Sequence, residues 1–204
     1  MSGEDDPTGA EIADEAPDAL GRKAELPLPR MAMLALVAGV LIGFGSIAFL
    51  VAQASAPPSG ASQLLSGLAF SIGLMMVMVT GAELFTGNTM FALPLAQGRL
   101  GARRTLVAWG LVWTGNLVGA LLLAGLFMLA GGADALDGAV GAAARDTLAG
   151  KLGKGVAATL ASGVLANMLV CLAVWMAMGA KTLSGRLLAV AGPVAIVVAP
   201  GFEH

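Results

Sequence analysis

Five apolar stretches, separated by short polar segments, make up most of the chain after residue 30. Four of them are long, and at about 1.5 Å per residue such helices cross a hydrocarbon core about 30 Å thick. The fifth meets Pro200 and Gly201 after only half a span. The stretches cover residues 31–54, 64–97, 105–130, 155–180 and 187–200. The pattern therefore predicts an all-α integral membrane protein.

The second stretch is too long for one crossing and contains helix breakers in its middle. Its segment GAELFTGNTM places Gly81, Glu83, Gly87 and Asn88 where an apolar helix would otherwise continue. Backbone groups freed by such a break survive at membrane depth only inside protein or beside a cavity. We therefore expect a re-entrant loop between two half-helices, with Glu83 in a functional or paired role. A kinked helix in which Glu83 caps backbone amides is the alternative.

The fifth stretch repeats this arrangement, because the half-helix LLAVAGPVAIVVA leads into PGFEH, again with Gly and Glu at the break. Breaks in the second and fifth elements indicate two inverted halves of three spans each. Such breaks meet near the bilayer midplane and line a permeation path. The pattern thus predicts a channel or transporter.

Composition agrees with this class, since 57% of the 204 residues are hydrophobic and 12% are charged, with a mean hydropathy of +0.86. Residues 1–30 are instead rich in acidic residues, Pro and Gly, and we expect a disordered tail before a membrane domain at residues 31–204. A short amphipathic helix just before Arg30 is an alternative. Eight Lys and Arg residues lie on the side of the N-terminus and three on the other side, which predicts a cytoplasmic N-terminus.

Composition also excludes several functions. With a net charge of -2 the chain offers no basic surface for nucleic acid. Cys171 is the single cysteine, so no disulfide forms. One histidine and one cysteine provide neither a metal-ligand cluster nor a nucleophile with its base, and we therefore expect no catalytic residues, no metal and no cofactor.

Four sequence blocks occur in order after residue 30: FSIGLMMVMVTGAELFTGNTMF, WTGNLVGALLL, LANMLVCLAVWMA and PVAIVVAPGFEH. Together they resemble the formate/nitrite transporter family over residues 31–204. The resemblance implies an aquaporin-like inverted-repeat bundle with broken second and fifth helices, embedded as a homopentamer in the lipid of a bacterial inner membrane. It also implies one pore in each protomer for small monovalent weak-acid anions, such as nitrite or formate, and protons.

The resemblance assigns pore positions one by one. Phe70 and Leu74 match residues of the cytoplasmic-side constriction, and Leu84 and Thr86 match the opposite constriction and the polar site of the pore. Val197 stands where the formate channel carries phenylalanine. Ordinary packing of these side chains is the alternative. The block GAELFTGNTMF is closer to the nitrite channel branch.

Three further residues complete the implied pore. His204 matches the central pore histidine, which faces the threonine and supplies a proton or a compensating charge. Lys151 and Asn167 match groups that make the periplasmic approach electropositive, although Lys151 could also be an ordinary loop lysine. Because a neutral acid avoids most of the cost that an anion pays at the bilayer centre, the pore is expected to favour protonation.

The chain departs from the family pattern by stopping at His204, before the rest of the fifth element and a sixth span. We expect it to be a fragment of a longer reading frame. A hydrosulfide channel of the same family and a non-conducting membrane fragment are the alternative functions.

Overall fold

The computed structural model describes residues 6–202, and within this range it is helical without strands. The described residues form nine α-helices: α1 Gly9–Ala24, α2 Leu28–Ala54, α3 Gly60–Thr80, α4 Phe85–Asn88, α5 Ala92–Ala96, α6 Ala102–Leu129, α7 Ala139–Leu152, α8 Val156–Met178 and α9 Leu183–Val198. Two 3-10 turns, Thr89–Phe91 and Gly132–Asp134, lie between them.

Four of these helices, α2, α3, α6 and α8, are long and apolar enough to cross a membrane. The shorter apolar helix α9 ends at Val198, just before Pro200 and Gly201, and so agrees with the predicted half-span. After α3 the chain leaves the helix at Gly81, whose φ of 67° suits a residue without a Cβ atom. The break predicted inside the second stretch is therefore present.

Glycines allow the long helices to approach closely. A Cβ atom on Gly119 of α6 would lie 2.1 Å from the Leu36 carbonyl oxygen of α2. A Cβ atom on Gly67 of α3 would lie 2.7 Å from the Ala195 carbonyl oxygen of α9. In a membrane there is no hydrophobic driving force between helices, because lipid tails are as apolar as the side chains. Small residues at such positions stabilise the association by letting the backbones pack closely. Helix α2 thus packs between α6 and α3, and α3 packs on α9.

The prediction of a disordered tail is wrong for the segment that forms α1. Ile12, Ala16, Leu20 and Ala24 recur every four residues on one face of this helix, and that face is buried. It packs against α5 and the Thr89–Phe91 turn. Acidic residues lie on the opposite, exposed face and explain why the composition of this segment resembles that of a solvated tail. This helix differs from the short amphipathic helix considered just before Arg30, because it begins at Gly9 and ends at Ala24.

Helix α1 begins with a capping box. The Thr8 hydroxyl accepts from the Glu11 amide, and the Glu11 carboxylate accepts from the Thr8 amide at 2.7 Å. The backbone and hydroxyl donors of Thr8 hold the pKa of the exposed Glu11 carboxyl below its usual value. Because this pKa is lowered on folding, the cap contributes above the unfolded pKa and is lost as the pH falls through the folded pKa.

Two arginines hold α1 on the bundle. Arg99 forms an ion pair with Asp18 at 2.9 Å, and the Arg104 Nε donates to the Ala24 carbonyl at 2.7 Å. The Arg104 guanidinium also donates to the Leu26 carbonyl. Carbonyl groups at a helix C-terminus lack intrahelical donors, and Arg104 satisfies them at the end of α1. Helix α1 is consequently part of the packed structure.

Candidate functional site

The re-entrant loop between α3 and α4 is held by one amide side chain of α6. The Asn116 Oδ1 accepts from the Phe85 amide at 2.8 Å. Its Nδ2 donates to the carbonyls of Ala35 and Glu83 at 2.8 and 2.9 Å. The Glu83 amide in turn donates to the Leu34 carbonyl at 3.2 Å. The backbone groups freed by the break therefore find partners inside the protein, as they must at membrane depth.

Glu83 belongs to this loop and is buried, with 1% of its surface exposed. Its Oε2 accepts from the Asn88 Nδ2 at 2.8 Å and lies 3.5 Å from the Lys23 Nζ of α1. The Asn88 carbonyl accepts from the Trp109 Nε1 at 2.8 Å. Glu83 is thus paired with two side chains and is not a cap on backbone amides. A buried carboxylate of this kind requires a partner, and the Lys23 ammonium provides the opposite charge.

A narrow cavity of about 10 Å³ lies where the re-entrant loop meets α3, α8 and α9. It brings together five of the residues singled out from the sequence, namely Phe70, Leu74, Leu84, Thr86 and Val197. The remaining lining comes from Ile42, Val170 and Val194. Thr86 supplies the polar side chain in an otherwise apolar wall. A volume of this size holds at most about one water molecule.

A much larger space of about 440 Å³, which we call the Lys151 vestibule, adjoins this narrow cavity and shares Phe70 and Ile42 with it. Lys151, Thr147 and Leu148 of α7 form one wall, and Phe49, Phe70 and Phe202 contribute aromatic rings. Part of the predicted sidedness is therefore wrong. Phe70 was expected at the constriction on the side opposite Lys151, but α3 begins at the Lys151 side, so Phe70 lies nearer that side than Leu74.

Asn167 does not line the Lys151 vestibule, contrary to its expected place beside Lys151. It lies in the middle of α8, where its Nδ2 donates to the Thr89 Oγ1 at 2.9 Å. The Thr89 hydroxyl donates onward to the Thr86 carbonyl at 2.7 Å, and the Cys171 Sγ lies 3.4 Å from the same hydroxyl. Asn167 therefore supports α4, which carries Thr86, through the Thr89 hydroxyl.

Of the loop glycines, Gly81 ends α3, and Gly87 lies in α4 against Val174. His204 lies outside the described residues, so its predicted role stays a prediction. Across residues 6–202, no group of three or more His, Cys, Asp and Glu side chains is placed to hold a metal ion.

Several residues of the site were not singled out from the sequence. Lys23 falls in the segment expected to be disordered, and Asn116 is one polar residue within an apolar helix. Ile42, Val170 and Val194 resemble lipid-facing residues in composition. Asn116 could have been found, because an amide inside a spanning helix usually has a buried partner.

Comparisons with known proteins agree with this architecture. A family model for formate/nitrite transporters matches residues 10–204, which include all of α1 after its first residue as well as the segment that begins at residue 31. The formate channel FocA of Escherichia coli (strain K12) is 34% identical over 197 residues, covering 96% of this chain and 68% of the relative. A probable formate transporter of Methanothermobacter thermautotrophicus is 35% identical over 203 residues, covering 89% of this chain and 73% of the relative.

Two solved structures share the fold. A pentameric formate channel with formate bound is 34% identical and has a TM-score of 0.77 over 87% of this chain and 70% of its own. An ion channel of the same family is 28% identical, with a TM-score of 0.84 over 96% of this chain and 78% of its own. The predicted fold class is confirmed. The chain belongs to the formate/nitrite transporter family, a family of channels and transporters rather than enzymes.

Proposed function

We propose that this chain conducts formate and related small monovalent weak-acid anions along a path from the Lys151 vestibule through the narrow cavity to the side covered by α1. The observation that carries the proposal is the cavity of about 10 Å³ with Thr86 as its polar residue. An apolar constriction of this size strips water from a permeating species, and the cost of an unhydrated charge there is high. Such a path favours a small acid in its neutral form over a hydrated ion.

The side chains offer a physical order of events. Lys151 in the vestibule wall raises the local concentration of anions. Phe70, Leu74 and Leu84 then replace the hydration shell with apolar contacts, while the Thr86 hydroxyl provides a hydrogen bond inside the constriction. His204, carried over from the family resemblance, supplies the proton, because imidazole titrates near pH ~6.5. The proton accompanies the anion through the apolar wall and is released on the far side.

Formate is the first anion to test, because several relatives are described as formate channels. The closer likeness of GAELFTGNTMF to the nitrite branch remains a prediction, and hydrosulfide remains an alternative. We further propose a homopentamer in a bacterial inner membrane, on the model of the pentameric relative. The excess of Lys and Arg on the α1 side supports a cytoplasmic N-terminus. Exposed apolar side chains along α6 and α8 suit lipid or neighbouring protomers.

Uptake by proteoliposomes tests this function. We expect the reconstituted chain to take up formate, and more weakly chloride, with the formate rate rising as the pH falls from about 8 to about 5, because protonation of both formate and imidazole then increases. Nitrite uptake measured in parallel ranks the two weak acids. Equal rates for formate and chloride, or no uptake of any weak acid, would contradict the proposal and favour the non-conducting alternative.

A further inference from the structure

We propose that the Lys151 vestibule is also a binding site for larger amphiphilic monovalent anions, that is carboxylates and sulfonates with a short alkyl tail, which enter it and block the path without passing. This inference rests on the proposed function, because the blocked process is anion flux. It concerns a ligand class that the narrow cavity cannot admit.

The size and lining of the vestibule suit such a tail. Its volume of about 440 Å³ falls within the roughly 300–1,000 Å³ of small-molecule pockets, which are mostly apolar with a few polar groups. Phe49, Phe70 and Phe202 provide aromatic surface, and Leu50 and Leu148 add aliphatic surface. Formate has no carbon chain that could use this surface. The apolar wall is therefore larger than transport of formate requires.

The rim of the vestibule suits an anionic head. Lys151 lines both the vestibule and an adjoining space of about 340 Å³, in which Lys154 and Asp146 also lie. Lys151 and Lys154 thus place two ammonium groups at this rim, beside the Asp146 carboxylate. Thr147 lines both spaces as well, and a hydroxyl is able to donate to a head group. A head at Lys151 and a tail toward Phe70 would place the ligand across the mouth of the constriction.

The difference in volume between the vestibule and the narrow cavity explains why a bound ligand would block the path. The narrow cavity holds about 10 Å³, so an alkyl tail that fits the vestibule cannot follow. A sulfonate also stays charged at every working pH, so moving it into the apolar cavity costs the full free energy of removing an ion from water. It therefore remains in the vestibule for as long as its tail contacts hold it.

Hexanesulfonate and methanesulfonate provide a matched pair of probes, because both carry the same permanent charge and differ only in the tail. We expect hexanesulfonate to inhibit formate uptake by proteoliposomes, and methanesulfonate to inhibit it far more weakly. Each buried methylene should tighten inhibition about threefold to fourfold across the intermediate sulfonates. Inhibition independent of tail length would overturn the inference, since charge alone would then explain it.

Substitutions of two leucines of α7 test where hexanesulfonate binds. Leu148 lines the vestibule and is 55% exposed, whereas Leu152 is 77% exposed and is not part of the vestibule wall. Leu148→Gln should weaken hexanesulfonate inhibition about fivefold, measured against the uninhibited formate uptake of the same variant, and Leu152→Gln should leave the inhibition unchanged. Equal weakening by both substitutions, or by neither, would place the ligand elsewhere and overturn the inference.

Calorimetric titration of the chain in lipid nanodiscs with hexanesulfonate, against empty nanodiscs, separates the two proposals. Binding that Leu148→Gln weakens, in protein that takes up no formate, would support the site and contradict the transport function. Formate uptake without saturable hexanesulfonate binding would support the transport function and overturn the site.

Discussion

Asn116→Leu should reduce formate uptake at least tenfold and lower the free energy of unfolding. Leucine has a similar volume but leaves the Phe85 amide and the Glu83 carbonyl without the partners they have now. Each buried backbone group left unpaired costs roughly 1–3 kcal/mol, and the membrane offers no water in compensation. The re-entrant loop should therefore shift, and Leu84 in the loop and Thr86 just after it should leave the constriction.

Thr114→Val is the matched control, because Thr114 lies on the same helix and its hydroxyl donates to the Gly110 carbonyl from an exposed position. This variant should unfold and transport as the unsubstituted chain does. Formate uptake and thermal unfolding, measured on all three proteins, decide the matter. Normal uptake by Asn116→Leu would show that the loop does not depend on this amide.

Leu74→Ala should open the path to hydrated ions, raising chloride uptake more than tenfold relative to formate uptake. Leu74 is 3% exposed and lines the narrow cavity, so its truncation enlarges a space that now holds at most about one water molecule. Water in the enlarged space lowers the cost of carrying a charge through it. The same truncation should lower the free energy of unfolding by about 2–5 kcal/mol, which is usual for buried Leu to Ala changes.

Leu123→Ala controls for lost stability, since Leu123 is also buried, at 8% exposure, but lies on α6 away from the cavity. It should lower stability without raising chloride uptake. A chloride leak of equal size in both variants would mean that general loosening, and not a wider constriction, admits the ion.

The sequence predicted the parts of the site that break a pattern. Gly81 and Glu83 interrupt an apolar stretch too long for one crossing, and the loop follows from that conflict. The family resemblance singled out Phe70, Leu74 and Leu84 as pore residues but assigned them to two opposite constrictions, whereas all three line the same narrow cavity. Val170 and Val194 could not be predicted, because a valine that faces a cavity and one that faces lipid look alike in a spanning helix.

Helix α1 was missed for a different reason. Its acidic composition is typical of a solvated tail, and the spacing of Ile12, Ala16, Leu20 and Ala24 is visible only when residues are read four apart. Lys23, the partner of Glu83, lies in the same helix and was therefore not recognised either. Long-range pairs of this kind depend on tertiary packing and leave no trace in local sequence.

The path through the narrow cavity is tested most directly by formate uptake into proteoliposomes that carry Leu74→Trp. The indole ring should fill the cavity, at a stability cost of about 1–3 kcal/mol for overpacking. We expect uptake to fall more than tenfold while the protein remains folded by its thermal unfolding transition. Uptake equal to that of the unsubstituted chain, in folded protein, would show that formate crosses the membrane by another route.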